Sequence, residues 1–280
     1  MYRKIRSYCY HNILLLSMEN SHTLHSSSRF RFALKNAAWH LLISLILAGL
    51  AALLVFGVWY PYPYAELTGG LALYKLVISV DIVCGPLLTL ILASPSKKLK
   101  ERIVDFSLIG MIQLAALIYG LYSVSLARPV VAAFETDRIN VVTAAEIDVN
   151  DLSHAPKDLQ DLSWFGARRV GLREATGPDE ANQSLDLSLK GVEPSMRPSW
   201  WLPDSQQERE KIRKAMKPLF VLAKARGMSE ESIFKQASLE NDGKELYFLP
   251  FTSARSKEWV VILNDQADFL GYAPIDGFIK

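Results

Sequence analysis

The sequence predicts a membrane protein of three transmembrane α-helices followed by a mixed α+β soluble domain. Three observations carry this reading. Residues 37–60, 71–93 and 103–126 are apolar runs close to the roughly 20 residues that a helix needs to cross the hydrocarbon core of a bilayer. Basic residues cluster before the first run and between the second and third, as they do on the cytoplasmic side of membrane helices. Residues 127–280 have the mixed polarity of a globular domain. The rival is three buried helices of a large soluble domain. All-round apolar helices in a chain of 280 residues would then need covering on every side. The mean hydropathy of +0.13 and net charge of +2 only average over two unlike parts.

In chain order, residues 1–36 form a basic segment that should stay cytoplasmic. Arg3, Lys4, Arg6, Arg29, Arg31 and Lys35 stand there against one acid, Glu19. Met18 is a plausible alternative start. The first run, with His40 near its start as its one ionisable group, is longer than a signal-peptide core. Its "WYPYPY" exit lacks an A-x-A-like cleavage pattern, so it reads as a retained anchor. Trp59, Tyr60, Tyr62 and Tyr64 have the composition of an interfacial aromatic belt. Pro61 and Pro63 predict a stiff, extended corner, and Gly69 and Gly70 loosen the chain before it re-enters. The corner reads either as an interfacial feature alone or as a place for a partner.

The second run carries Lys75 and Asp81. Six residues separate them, nearer two helical turns than one, so a direct ion pair is not secure. Lys75 can snorkel to the interface, whereas a central Asp costs about 2.5 to 3.5 kcal/mol in lipid. Asp81 should therefore face another helix or a partner. A packing hydrogen bond, with the Gln113 amide as one candidate, a partner contact, and proton or ion transport all remain open. Gly85 and Pro86 predict a kink. The "SPSKKLKER" bend, with Lys97, Lys98, Lys100 and Arg102, is the strongest topological signal. The third run holds Gln113, Tyr119 and several small residues outside G-x-x-x-G spacing, and carries no charge between Asp105 and Arg128. Arg128 and Pro129 close it. An odd number of spans leaves residues 127–280 periplasmic in a diderm bacterium.

In that domain, residues 130–134, 138–143, 164–172, 245–251, 259–263 and 269–272 read as strands. Residues 205–226 are helix-prone, with Pro218 bending or dividing them, and Ser229 is a candidate N-cap. An antiparallel sheet is expected over regular βαβ repeats. Trp200 and Trp201 could fill a core, lie at the membrane surface or bind a peptide. Asn241–Gly243 reads as a turn.

Two cysteines, Cys9 and Cys84, provide no disulfide framework. His11, His22, His25 and His40 lack compact metal-ligand spacing. No nucleotide loop, nucleophile elbow, H-E-x-x-H or C-x-x-C occurs. No catalytic residue, metal or cofactor is expected, and the basic residues on the outer side are poor evidence for nucleic acid. The residues point to a membrane-anchored binding or scaffolding module. Its rivals are a small ion-coupled transporter built on Asp81 and Gly85-Pro86, and a membrane-anchored periplasmic ligand sensor.

The ordered set "WYPYPY" (59–64), "LVISVDIVCGPLLTLIL" (76–92), "KKLKERIVDFSLIGMIQLAALIYGLY" (97–122) and "ARPVVAAFETDRINVVTAAEI" (127–147) resembles the TfpX/TfpZ-like type IV pilin accessory proteins of the bacterial inner membrane. The resemblance runs from about residue 31 to residue 147 and is looser beyond. It implies a role in pilin stability or pilus assembly, with a type IV major pilin as partner, other inner-membrane pilus assembly proteins as possible further partners, and membrane lipid around the spans. Its membrane motif falls on Trp59, Tyr60, Pro61, Asp81, Gly85, Pro86, Asp105, Gln113 and Tyr119. Its post-membrane motif falls on Arg128, Pro129, Asp137 and Arg138.

Overall fold

The structure, a computed structural model, describes residues 29–240 and 243–279. The expectations placed on Arg3, Lys4, Arg6, Cys9, His11, Met18, His22, His25 and the Asn241-Asp242 pair lie outside these residues. Three helices are long and apolar enough to cross a membrane: α1 (Arg29–Trp59), α3 (Gly70–Leu92) and α4 (Leu99–Leu126). A single helical turn, α2 (Tyr64–Leu67), lies between the first two.

Contacts divide the chain into two compact units. One holds the described residues up to Ala51 together with Lys75–Leu121; the other holds Ala52–Tyr74 and the chain from Tyr122 onward. Residues 52–74, the end of α1, the corner and the first turn of α3, thus cluster with the sheet.

Within the helical unit, α1 buries Ala33, Ala37, Ser44, Ala48 and Ala51. Their spacing of three, four or seven keeps them on one helical face, and their small size lets neighbouring backbones approach. The opposite faces carry exposed Leu and Ile, as lipid-facing helices do. α3 continues through Pro86 as one helix, with the ring inside it.

The second unit is built on an eight-stranded mixed sheet. Its strands are β1 (Pro129–Glu135), β2 (Arg138–Thr143), β3 (Arg168–Leu172), β4 (Trp201–Pro203), β5 (Lys217–Pro218), β6 (Tyr247–Ser253), β7 (Trp259–Leu263) and β8 (Phe269–Ala273). The order is β4-β3-β1-β2-β6-β7-β8, with β5 on the first half of β6. Most pairs are antiparallel, as expected, but β1·β3 and β2·β6 are parallel. Each parallel junction is reached by a long excursion rather than a hairpin, which parallel pairing requires. The first passes through short 3₁₀ turns, the second through α5 (Pro178–Leu189), α6 (Gln206–Ala215), α7 (Leu219–Arg226) and α8 (Glu230–Gln236).

Pro218 divides the helix-prone stretch, standing in β5 between α6 and α7. The Ser229 hydroxyl caps α8, accepting from the Ser232 N–H. One core joins Leu219, Leu222, Ile233 and Phe234 to Phe248, Val260 and Ile262; another joins β1, β2 and β3 to Trp201. Trp201 is core. Trp200 is buried too, with the Arg173 and Arg197 guanidinium groups each 4.4 Å from its ring.

Candidate functional site

Inside the helical unit a polar chain links all three long helices. The Gln113 side-chain N–H of α4 donates to the Asp81 backbone carbonyl of α3 (3.0 Å). That orientation turns the Gln113 carbonyl oxygen toward His40 Nε2 of α1, which lies in close contact with it. An oxygen with only lone pairs needs a donor, so Nε2 carries the proton. In the neutral ring Nδ1 then accepts from the Thr89 hydroxyl of α3 (2.6 Å). Gly85 makes this possible, because a Cβ there would fall on the Gln113 amide. Here the glycine and the glutamine of the expected set explain each other.

Gln113 therefore bonds the main chain of Asp81 rather than its carboxylate. One turn from Pro86, the main-chain carbonyl is the acceptor within the amide's reach. Among the described residues the Asp81 carboxylate forms no hydrogen bond or ion pair, and none joins it to Lys75. The residue is nevertheless only 9% exposed. It lines a cavity of about 110 Å³ together with His40, Ser44, Gly110 and Gln113, closed by aliphatic side chains. Asp105 is paired at the start of α4, with its carboxylate 2.6 Å from Lys97 Nζ. Tyr119 is 72% exposed on α4, and Lys75 lies near the start of α3.

The corner is packed against the sheet rather than extended along an interface. Pro63 stands at the N-cap of α2, where its missing N–H costs nothing, and Tyr64 N–H donates to Pro61 O (2.9 Å). Tyr64 is buried, with its ring 6.0 Å from Phe251 and 6.4 Å from Tyr272. Burial, reinforced by Tyr272, pushes its phenol well above the usual range. The Ser253 hydroxyl of β6 donates to Leu67 O (2.7 Å). Tyr60 is 1% exposed; its hydroxyl donates to Val124 O (2.7 Å), and its ring occupies the space that a Cβ on Gly70 would fill. Of the four rings read as an interfacial belt, only Tyr62 is well exposed, and it too reaches Trp259 and Tyr272. Aromatic rings gain more against a sheet than half in water, because the whole face is desolvated.

Arg128, just past α4, is buried. Its guanidinium caps the Trp164 ring at 3.8 Å and donates to Ser163 O and Ser125 O. Pro129 begins β1. Asp137 and Arg138 form an ion pair of 2.9 Å at the β1–β2 turn. Arg138 also lines a cleft of about 590 Å³ with Phe134, Glu135, Arg173, Glu193 and Trp200. Burial raises the Glu135 carboxyl, opposed by its hydrogen bonding with Ser195. Sequence reasoning passed over His40 and Thr89 as members of one group with Gln113, because the partners of His40 lie 49 and 73 residues away along the chain. Among the described residues, no group of three or more His, Cys, Asp or Glu side chains is placed to hold a metal ion.

These features define a membrane-anchored protein whose folded domain shares its core with a loop between spans. The family model "Fimbrial assembly protein FimB" matches residues 28–69, which include α1 and the corner. The chain is 40% identical over 257 residues to "Fimbrial assembly protein, serogroup I" of Dichelobacter nodosus, covering 90% of this chain and 99% of that protein. It is 38% identical over the same length and coverage to the serogroup E1 protein of that organism. A third relative, for serogroups C1 and C2, is 48% identical over 130 residues, 46% of this chain and 99% of the relative. This protein belongs to the fimbrial assembly protein family. No solved structure matches it.

Proposed function

We propose that this protein is an inner-membrane accessory protein that binds or stabilises a type IV pilin and promotes pilus assembly, in the manner of the TfpX/TfpZ-like proteins it resembles. Family membership across nine-tenths of the chain is the observation that carries the reading. Two features support such contacts. Asp81 offers a carboxylate beside a small intramembrane cavity, suited to a donor on a partner's membrane helix. The cleft beside Asp137 and Arg138, with its mixed charge, suits a polar surface of the partner's outer domain. Trp59, Tyr60, Pro61, Lys75, Gly85, Pro86, Asp105, Gln113, Tyr119, Arg128 and Pro129 serve this by shaping the helices and corner around those places. Engaging one partner at two tethered points raises the local concentration for the second contact.

In this reading the N-terminus is cytoplasmic, residues 37–126 make up the membrane unit and residues 127–280 the periplasmic domain. Reporter fusions after Lys98 and Asp137 should report opposite sides of the membrane. Photocrosslinkers at Ser44 and at Glu193 should both capture pilin in cells. Deletion that leaves pilin abundance, crosslinking and surface pili unchanged would sink the proposal.

A further inference from the structure

The loop that leads into β3 carries an aromatic pair with no role in the packing of the sheet. Phe165 is 81% exposed, more than the most exposed lipid-facing side chains of the long helices, Leu53 and Tyr119 at 72%. Trp164 beside it is 51% exposed. Two adjacent aromatic side chains left exposed by the fold signal a surface that something covers.

What covers it follows from what pins it. The Trp164 ring lies 6.1 Å from that of Trp59, the last residue of α1. Its other support is Arg128, two residues beyond the end of α4, which grips the loop through Ser163 O at 3.0 Å. Gly166 turns the chain with φ of +69°, and a Cβ there would meet the ring of Pro61 at 2.7 Å. The loop is thus fastened to the points where two membrane-spanning helices reach the bilayer surface. Trp and Phe beside Arg is the composition that settles between headgroups and acyl chains.

We propose that residues 163–166 form a membrane-interface anchor. Phe165 enters the outer boundary of the acyl chains and Trp164 lies at headgroup depth, held there by the buried Arg128 guanidinium stacked on its ring. The occupant is lipid, because the ends of α1 and α4 already set the bilayer surface at this level. The proposal needs neither the pilin partner nor the assignment of sides.

The test uses the full chain, with Cys9 and Cys84 changed to Ser, reconstituted alone in nanodiscs of phosphatidylethanolamine and phosphatidylglycerol. An environment-sensitive fluorophore is placed at Phe165→Cys, at Ala167→Cys, which keeps both rings, and at the exposed reference Leu189→Cys. Positions 165 and 167 should emit to the blue of position 189. Lipids brominated near the glycerol end of their chains should quench position 165 about twofold or more, as interfacial depth requires, and position 167 less. Iodide should quench position 189 most. A label at 165 or 167 as open to iodide as that at 189 overturns the proposal. So does one shielded from iodide yet untouched by brominated lipid, which would mean a protein contact instead.

Discussion

The two units use polar groups in opposite ways. In the helical unit the apolar side chains face outward and a polar chain, Thr89–His40–Gln113–Asp81, ties three helices together. In the sheet unit the apolar side chains face inward, and charged groups make a network on the surface. There Arg209 bridges Asp204 and Asp268, while Arg169 joins Asp204 and Ala267 O. The solvent explains the difference. Lipid gives no reward for burying Leu, so helix association rests on close packing and interhelical hydrogen bonds. Water rewards apolar burial and competes for every exposed ion pair. Hydrogen bonds of similar length therefore carry different weight in the two regions.

The largest effect that separates them is apolar truncation. Phe251→Ala, fully buried in the sheet, should cost about 3–5 kcal/mol. Ile118→Ala, 60% exposed on α4, should stay within about 0.5 kcal/mol. Thermal unfolding of both variants in mild detergent makes the comparison, and equal losses would break it. Next is Gly85→Val, whose added carbons fall on the Gln113 amide. Overpacking of about 1–3 kcal/mol should lower the melting of the helices while near-ultraviolet circular dichroism from the sheet is kept.

Gln113→Leu should cost about 0.6–2 kcal/mol and be indifferent to salt. Arg209→Ala should cost less than about 1 kcal/mol, and the loss should shrink in 1 M salt. The smallest effect is in acid. The Arg173 guanidinium, followed by the Thr176 donors, holds the Glu180 carboxyl down to about 2 from the usual 4.5. A depressed carboxyl stabilises the fold above its unfolded value and loses that contribution as pH falls through its folded one. Glu180→Gln should therefore flatten the melting temperature between about pH 4.5 and pH 2 and change its slope little above that range.

What was legible in the chain was what composition and local period carry. The three spans stand out by length and apolarity, and β2 and β7 by uninterrupted β-branched and aromatic runs. The brief strands β4 and β5 did not, because Pro203 and Pro218 argue against strand while a partner's edge supplies the order. Gln113 and Gly85 could be singled out separately, but their meeting is a fact of helix rotation that no local window holds. The small residues of α1 have the right spacing for a helix seam, a signal that a search for G-x-x-x-G in the third span alone does not reach. The corner misled for a chemical reason. Tyr and Trp next to a span have the same composition whether they meet headgroups or the concealed face of a sheet, and only Phe251 and Tyr272, some two hundred residues on, decide.

The packing of Tyr64 and Leu67 against β6 has a practical corollary for dissection of this protein. A fragment beginning at residue 127 would lack a piece of its own interior and leave Phe251 and Tyr272 bare, inviting self-association. Supplying residues 60–69 as a peptide, or grafting them ahead of β1, is the route to a soluble piece with that face of its sheet covered.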